Sequence, residues 1–122
     1  MSYEIEKKGS YLLVRLSGEV DDKTLLSLFA EISAIESSAS TPTHRITVVS
    51  GVTDFVIRYS TLSPIAIKRS SQYISHNIKS AMVATTPLEK GMSNMWCSLI
   101  QHPNITIRIF PSLPEAEAWI LE

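Results

Sequence analysis

The residues of this chain that could do chemistry are few and scattered. Three histidines, His44, His76 and His102, never fall at the i, i+4 spacing that lets one helix face hold a metal ion. Cys97 has no second cysteine to pair with, and it lies inside a predicted helix, away from the helix N-terminus that would lower its pKa. We therefore expect no metal site, and we interpret Cys97 as a packed, inert thiol.

Patterns for covalent or cofactor chemistry are also absent from the sequence. No Gly-x-Ser-x-Gly motif occurs, and no serine is followed by a lysine three positions later, as in the Ser-x-x-Lys enzymes. The chain has four glycines, and neither a phosphate-binding loop nor a dinucleotide fingerprint can be written from them. No pair of carboxylates suggests an acid and a base. We predict that the protein is not an enzyme and needs no cofactor.

One region combines groups that could hold an anion. The segment 51–63 follows a predicted strand that ends near Val49, and it leads into a second helix predicted to begin at Ser63, just before Pro64. Ligands of open α/β sheets bind at the carboxyl ends of strands, and helix N-termini attract negative charge, to which Arg58 could add a full positive charge. The hydroxyls available to an anion or to phosphorylation are Ser60, Thr61 and Ser63. A simpler alternative stays open, in which Ser63 only caps the helix.

A second group of residues could form an apolar pocket between helices two and three. Its members are Tyr73, Met92, Met95 and Trp96. Such a pocket would bind a small apolar or amphipathic ligand, although Met and Trp at helical spacing also pack in ordinary cores. The broad apolar surface of helix three, through Cys97 and Ile100, is in addition a candidate homodimer face.

The overall composition narrows the class of protein. A chain of 122 residues, 44% hydrophobic and 19% charged, fits a single folded domain over residues 1–122. The formal net charge is −1 and no basic stretch could follow a phosphate backbone, so we expect no nucleic-acid partner. A lone cysteine suits the reducing cytoplasm, and we see neither a signal peptide nor a transmembrane segment.

The first half of the chain has clear hydrophobic periodicity. Alternation over 3–6 and 12–16 predicts a β-hairpin with Gly9 in its turn. A stripe of apolar residues then predicts helix one over about 22–36, with Asp21 or Asp22 as its N-cap. The β-branched run 45–49 predicts a strand. Residues 52–59 lack a regular pattern and are assigned to no element, and we interpret 51–63 as a loop that enters helix two.

The second half alternates strands with capped helices. Helix two is predicted to be amphipathic, with Leu62, Ala66, Ile67, Tyr73 and Ile74 on its apolar arc. Strands are predicted over 78–84 and 104–110, helix three begins with the capping box at 86–89, and the last helix begins at 112. The order ββαβαβαβα predicts an α/β fold with a single mixed, mostly parallel five-stranded sheet.

The polar residues of the predicted strands suggest where the helices lie. They are Glu4, Glu6, Arg15, Thr47 and Arg108, and we interpret them as one side of four strands. A sheet covered by helices on both faces would be apolar on both. We therefore predict helices mainly on one face, with the alternative that these are edge strands, which alternate in any case.

Several segments together resemble the STAS-like, SpoIIAA-like family over nearly the whole chain. They are Tyr3-Glu-Ile with Tyr11-Leu-Leu-Val-Arg-Leu-Ser-Gly-Glu19, then Ser50-Gly-Val-Thr-Asp-Phe55, and finally Ile107-Arg-Ile-Phe110 with Glu115-Ala-Glu-Ala-Trp119. The resemblance implies a mixed sheet with helices mostly on one face, related in fold to bacterial anti-sigma-factor antagonists and, more distantly, to CRAL-TRIO lipid carriers.

The resemblance also implies a function. In the antagonists a serine at the start of helix two, within an Asp-Ser-x-Gly motif, is phosphorylated by a partner kinase. That position corresponds to Ser63, with Ser60 and Thr61 as alternatives, although no Asp-Ser-x-Gly occurs in this sequence. The leading hypothesis is a non-enzymatic regulatory module that binds another protein. The alternative is a carrier or sensor of a small apolar or amphipathic ligand.

Overall fold

The described part of the chain forms five strands and four helices, which alternate after an initial β-hairpin. The computed structural model describes residues 2–39 and 43–122. The elements are β1 (Tyr3–Lys8), β2 (Tyr11–Asp21), α1 (Asp22–Ser38), β3 (His44–Val56), α2 (Tyr59–Ser70), β4 (Ile78–Val83), α3 (Pro87–Leu99), β5 (Ile105–Phe110) and α4 (Leu113–Ile120). The predicted order and the single mixed sheet are confirmed. Residues 40–42 of the predicted loop between α1 and β3 lie outside the described residues.

The strands lie in the sheet in the order in which they occur in the chain. β1 and β2 form the predicted antiparallel hairpin, in which Gly9 has a φ of 62°, and all other neighbours are parallel. Right-handed connections between successive neighbours deliver their helices to the same face of a sheet. This order therefore explains why α1, α2 and α3 share one face.

The two faces of the sheet have separate cores. Leu12, Val14 and Val49 pack beneath the first three helices, on what we call the three-helix face. Tyr11, Leu13, Ile46 and Ala81 point the opposite way and pack against Ala116, Trp119 and Ile120 of α4. The prediction of helices mainly on one face is confirmed, with α4 alone on the other.

The face assigned to one polar residue was wrong. Glu4 pairs with Arg15, and Arg108 pairs with Ala81, so these three side chains lie on the α4 side of the sheet. Thr47 pairs with Val14 and therefore points to the three-helix face. The same alternation places Arg45 on that face, beneath the helices.

The helix starts follow local rules except in α2. Asp21 caps α1 by accepting from the Thr24 N–H, Thr86 and Glu89 form a complete capping box in α3, and Ser112 caps α4. α2 begins at Tyr59, so Ser63 does not start the helix and Pro64 lies inside it. Arg58, the residue before the helix, makes no side-chain cap bond.

Residues 51–56 form a strand where the sequence suggested a loop. β3 continues to Val56 because residues 51–56 pair with the end of β2, from Ser17 to Asp21. Two register shifts interrupt this pairing, and Gly18 lies beside one of them with a φ of 67°. The connection from β3 to α2 is therefore only residues 57–58.

Candidate functional site

The start of α2 already holds a carboxylate of the protein itself. The Asp22 side chain accepts a hydrogen bond from the Arg58 backbone N–H at 2.8 Å and another from Arg58 Nε at 2.6 Å. The backbone bond from Arg58, then its side chain, lowers the pKa of Asp22, and the Thr61 hydroxyl adds to this effect. The negative charge that the sequence led us to expect here is thus supplied by α1.

This arrangement separates the predicted hydroxyls. Ser60 and Thr61 lie in the first turn of α2, beside the Asp22 carboxylate, where a second anion would be repelled. Ser63 lies one turn further on, at the fifth helical residue, so it does not share the N-terminal N–H groups. A phosphate on Ser63 would therefore not gain the helix-terminus stabilisation that the sequence suggested.

Ser63 instead lies on the outer face of α2. It is flanked at i−4 and i+4 by Tyr59 and Ile67, which are both 62% exposed. These three residues, which we call the α2 surface, border a shallow groove of about 380 Å³ that Leu99 and Gln101 close at the end of α3. Ile67 was predicted to lie on the buried arc, and that prediction is wrong.

The end of β3 adjoins the same region. Pairing between β3 and β4 ends at Val48 with Val83, whereas β3 continues for eight more residues. Among the described strands, only β2 pairs with residues 51–56, so the other edge of this segment has no strand partner. Val56, at its end, is 51% exposed. An exposed strand edge can pair with another chain.

The apolar residues predicted to form a pocket are only partly together. Met92 and Trp96 line a cavity of about 70 Å³ between the three-helix face and the helices, and Trp96 stacks on Phe29 with 5.3 Å between ring centroids. Met95 does not line this cavity. Tyr73 is 91% exposed, beyond the end of α2.

A charged cluster that the sequence did not suggest lies beneath α1 and α2. Arg45 and Arg69 are 4% and 8% exposed, and both approach the Glu36 carboxylate, at 3.2 Å for Arg45 Nη2 and 3.3 Å for Arg69 Nη1. Arg69 Nη1 also donates to Gln72 Oε1 at 2.9 Å. Two guanidinium groups therefore share one carboxylate, at distances longer than the usual 2.7–2.9 Å of a charge-assisted bond.

The cluster is incompletely neutralised. Burial, and then the charge of Arg69, lowers the pKa of Arg45 to about 10. Within the described part of the chain, Arg45 Nε and Arg69 Nη2 are buried without a hydrogen-bond partner. Arg45 also lies 5.9 Å from the centroid of the Phe29 ring. A buried net positive charge with unbonded N–H groups is costly, and it is therefore unusual in a purely structural role.

A groove between α1 and α2 opens over this cluster. It measures about 330 Å³ and has Glu36, Arg45 and Arg69 in its lining. Glu36 and Arg69 also line an adjoining depression of about 250 Å³ that reaches Tyr73 and Ile74. The alternation of β3 could have indicated Arg45, because it shares a face with Val49; nothing in the spacing of Glu36 or Arg69 predicts their meeting.

Helix α3 presents a limited apolar surface. Cys97 and Ile100 are half-buried, and burial raises the pKa of the Cys97 thiol. Leu88, at the other end of the helix, is 52% exposed. Across residues 2–39 and 43–122, no cluster of three or more His, Cys, Asp or Glu side chains could hold a metal ion. None of the described helices has the length and apolar character needed to cross a membrane.

Comparisons with known proteins bear on the fold. Neither protein-family models nor curated proteins gave a match. Among solved structures, an uncharacterised DUF3478-family protein from Shewanella loihica PV-4 with a SpoIIAA-like fold aligns with a TM-score of 0.66 and 10% identity, covering 97% of this chain and 91% of that one. An anti-sigma factor antagonist from Mycobacterium paratuberculosis aligns with a TM-score of 0.61 and 16% identity, covering 98% and 93%. The chain therefore has the SpoIIAA-like fold that the sequence resemblance predicted.

Proposed function

We propose that this SpoIIAA-like domain is a non-enzymatic regulatory module that binds another protein through the α2 surface. The observation that carries the proposal is the exposure of Tyr59 and Ile67 on either side of Ser63. An exposed aromatic and an exposed aliphatic side chain, two helical turns apart, form one row, and tyrosine in particular is enriched at the energetic centres of interfaces. The antagonist among its structural neighbours supports a regulatory role of this kind.

The neighbouring strand edge would extend the contact. Residues 51–56 offer backbone groups that a partner strand could pair with, and Val56 and Tyr59 continue the exposed apolar surface from this edge to α2. The partner would therefore contact both elements, which the two-residue connection 57–58 holds side by side.

Phosphorylation of Ser63 would act as an off switch in this proposal. The phosphate would place about two negative charges between Tyr59 and Ile67, and a charged group in an apolar interface must lose its hydration when the partner binds. The expected effect is weaker binding.

The proposal is tested by capturing partners from the source cell on the immobilised protein and then measuring the affinity of any specific partner. The double variant Tyr59→Ser, Ile67→Ser should lower that affinity at least about tenfold, because it removes the exposed anchors. Tyr73→Ser is the matched control, since Tyr73 is 91% exposed but lies outside the α2 surface. Recovery of no specific protein, or equal binding by the double variant, would argue against the proposal.

The switch is tested separately in the same assay. Ser63→Glu should weaken binding, whereas Ser75→Glu, which adds the same charge at an exposed position after α2, should not. Equal affinities for the two variants would remove the phospho-switch while leaving the partner surface intact.

The geometry bears on two other hypotheses, a carried small ligand and self-association through α3. A cavity of about 70 Å³ at Met92 and Trp96 is far below the roughly 300 Å³ of small-molecule sites, so we do not place a carried ligand at these two residues. Self-association through α3 stays a proposal: Ile100→Glu should convert a dimer to a monomer in sedimentation velocity, and an unchanged mass would exclude this face.

A further inference from the structure

We propose that the groove between α1 and α2 binds a small organic monocarboxylate, with its carboxylate at Arg69 and Arg45 and its apolar part toward the open end of the groove. This site is separate from the α2 surface and does not depend on the proposed protein partner. Its basis is the pair of buried guanidinium groups that share a single carboxylate.

The charges of the groove favour an anion. Among its described lining residues, Glu36 is the only acid, whereas Arg45, Arg69 and Lys68 are basic. The two arginines are more than nine-tenths buried, and each retains a nitrogen without a hydrogen-bond partner in the described structure, Nε of Arg45 and Nη2 of Arg69. One further carboxylate would balance the buried pair of positive charges and offer acceptors to these nitrogens.

The shape of the groove favours a ligand with an apolar body. Much of the remaining lining is apolar, with Leu26, Phe29 and Ala30 on α1 and Pro64 and Ile65 on α2. Leu26 is 55% exposed, so its side chain is open to a ligand that enters the groove. The volume of about 330 Å³ suits a molecule of about ten non-hydrogen atoms, at the lower end of small-molecule sites.

The guanidinium group favours a carboxylate of single charge. Arginine presents a planar pair of N–H donors that matches two carboxylate oxygens, and the cluster has one uncompensated positive charge. Inorganic phosphate carries more charge and no apolar part, so it should satisfy the arginines but not the groove walls. A neutral alcohol of the same length should contact the walls but leave the arginines unpaired.

Octanoate is the probe, and isothermal titration calorimetry on the full chain is the measurement. We expect saturable one-to-one binding with a dissociation constant below about 1 mM, and binding of acetate, inorganic phosphate and octanol at least about tenfold weaker. Arg69→Met and Arg45→Met should each weaken octanoate binding at least about tenfold, because each removes one charged partner. Arg108→Met, which removes a positive charge on the α4 side of the sheet, should leave it unchanged.

A variant at an exposed position separates an effect on octanoate binding from an effect on folding. Leu26→Glu changes an exposed residue and places a hydrated charge where the apolar part of the ligand would lie, so it should also weaken octanoate binding about tenfold or more. The proposal is overturned if octanoate does not bind, if phosphate or octanol binds as tightly, or if Leu26→Glu and Arg69→Met bind octanoate like the unaltered protein.

Discussion

Replacing Arg45 by methionine is expected to make the free protein more stable, although it removes a side chain that bonds to Glu36. The pKa of Arg45 is lowered from the ordinary value of an arginine to about 10, first by burial and then by Arg69. This lowering corresponds to about 3 kcal/mol by which the charged group is disfavoured in the folded protein at neutral pH. Methionine has a similar length and no charge, and it leaves Arg69 and Glu36 as a balanced pair.

The net increase in the free energy of unfolding should be smaller than the cost of about 3 kcal/mol for the buried charge. The cation lies 5.9 Å from the Phe29 ring centroid, a contact of about 0.5–2 kcal/mol that methionine replaces only in part. We expect Arg45→Met to raise the free energy of unfolding by about 1–2 kcal/mol, because the Glu36–Arg69 pair that remains is balanced in charge and still bonded. A residue that lowers stability and lines a groove is typical of a binding site.

Urea unfolding at pH 7, followed by tryptophan fluorescence, measures this change. Trp96 and Trp119 report on the two faces of the sheet, and the dependence on urea should keep the same slope. Arg108→Met is the control, because Arg108 is exposed on the α4 side, and it should change stability by less than about 1 kcal/mol. If the free energy of unfolding of Arg45→Met were lower than that of the unaltered protein by more than about 1 kcal/mol, the reasoning would be refuted.

The pH dependence of the stability provides a second check that the Arg45 charge destabilises the folded protein. Because the folded protein holds the Arg45 proton less tightly than the unfolded chain, the penalty is complete below about pH 10 and declines as the pH rises from there toward the ordinary pKa of arginine. The stability difference between Arg45→Met and the unaltered protein should therefore shrink as pH rises above about 10. The other groups that titrate in this pH range are present in both proteins, so their effects cancel in the difference between the two stabilities.

The remaining predictions concern single contacts. Glu36→Gln, which leaves two buried cations without a carboxylate, should cost about 3–5 kcal/mol in urea unfolding, and a cost below about 1 kcal/mol would contradict the charge count. The Glu89 carboxylate accepts from the Thr85 N–H at 2.8 Å, a bond that lowers the pKa of Glu89, so Glu89→Gln should cost about 1–2 kcal/mol at pH 7, with exposed Glu115→Gln as control. Because the folded-state pKa of Glu89 is the lower one, this difference should disappear as pH falls below the ordinary 4.5, and a constant difference would contradict its origin. Gly18→Ala should cost about 1–2 kcal/mol because of its φ of 67°, and unchanged stability would show that the bend can relax. Burial raises the pKa of Cys97, so its reaction with a thiol reagent at pH 8 should be slower than that of free cysteine, and an equal rate would show that the thiol is accessible.

The features predicted correctly from the sequence are those that short segments determine. The turn at Gly9, the stripe of α1 and the capping box of Thr86 and Glu89 depend on residues within a few positions of each other. The element order then restricts the sheet to few topologies, and the predicted mixed sheet with helices mainly on one face is observed.

The features that were mispredicted depend on contacts between distant segments. β3 continues past Ser50 because β2 continues beside it, and residues 51–56 have no clean alternation of their own. α2 starts at Tyr59 because Asp22, 36 residues before Arg58, accepts hydrogen bonds from the Arg58 backbone N–H and side chain just ahead of the helix, so the Ser63-Pro64 pair was misleading.

The candidate site was missed for the same reason. Glu36, Arg45 and Arg69 come from α1, β3 and α2, and no spacing between them is typical of a motif. Of these three residues, only Arg45 could have been predicted from the sequence, because the alternation of β3 places it on the same face as the buried Val49.

The sequential order of the strands has a consequence for how the chain reaches this structure. Each new strand pairs with the one that precedes it in the chain, so no strand has to wait for a later one. The β1–β2 hairpin pairs locally, whereas each parallel pair joins segments that a whole helix separates, and parallel pairing is therefore the slower step. During synthesis the sheet can grow strand by strand as the chain leaves the ribosome. α4 is made last, and it would complete assembly by covering β3, β4 and β5 on the face that the earlier helices leave open.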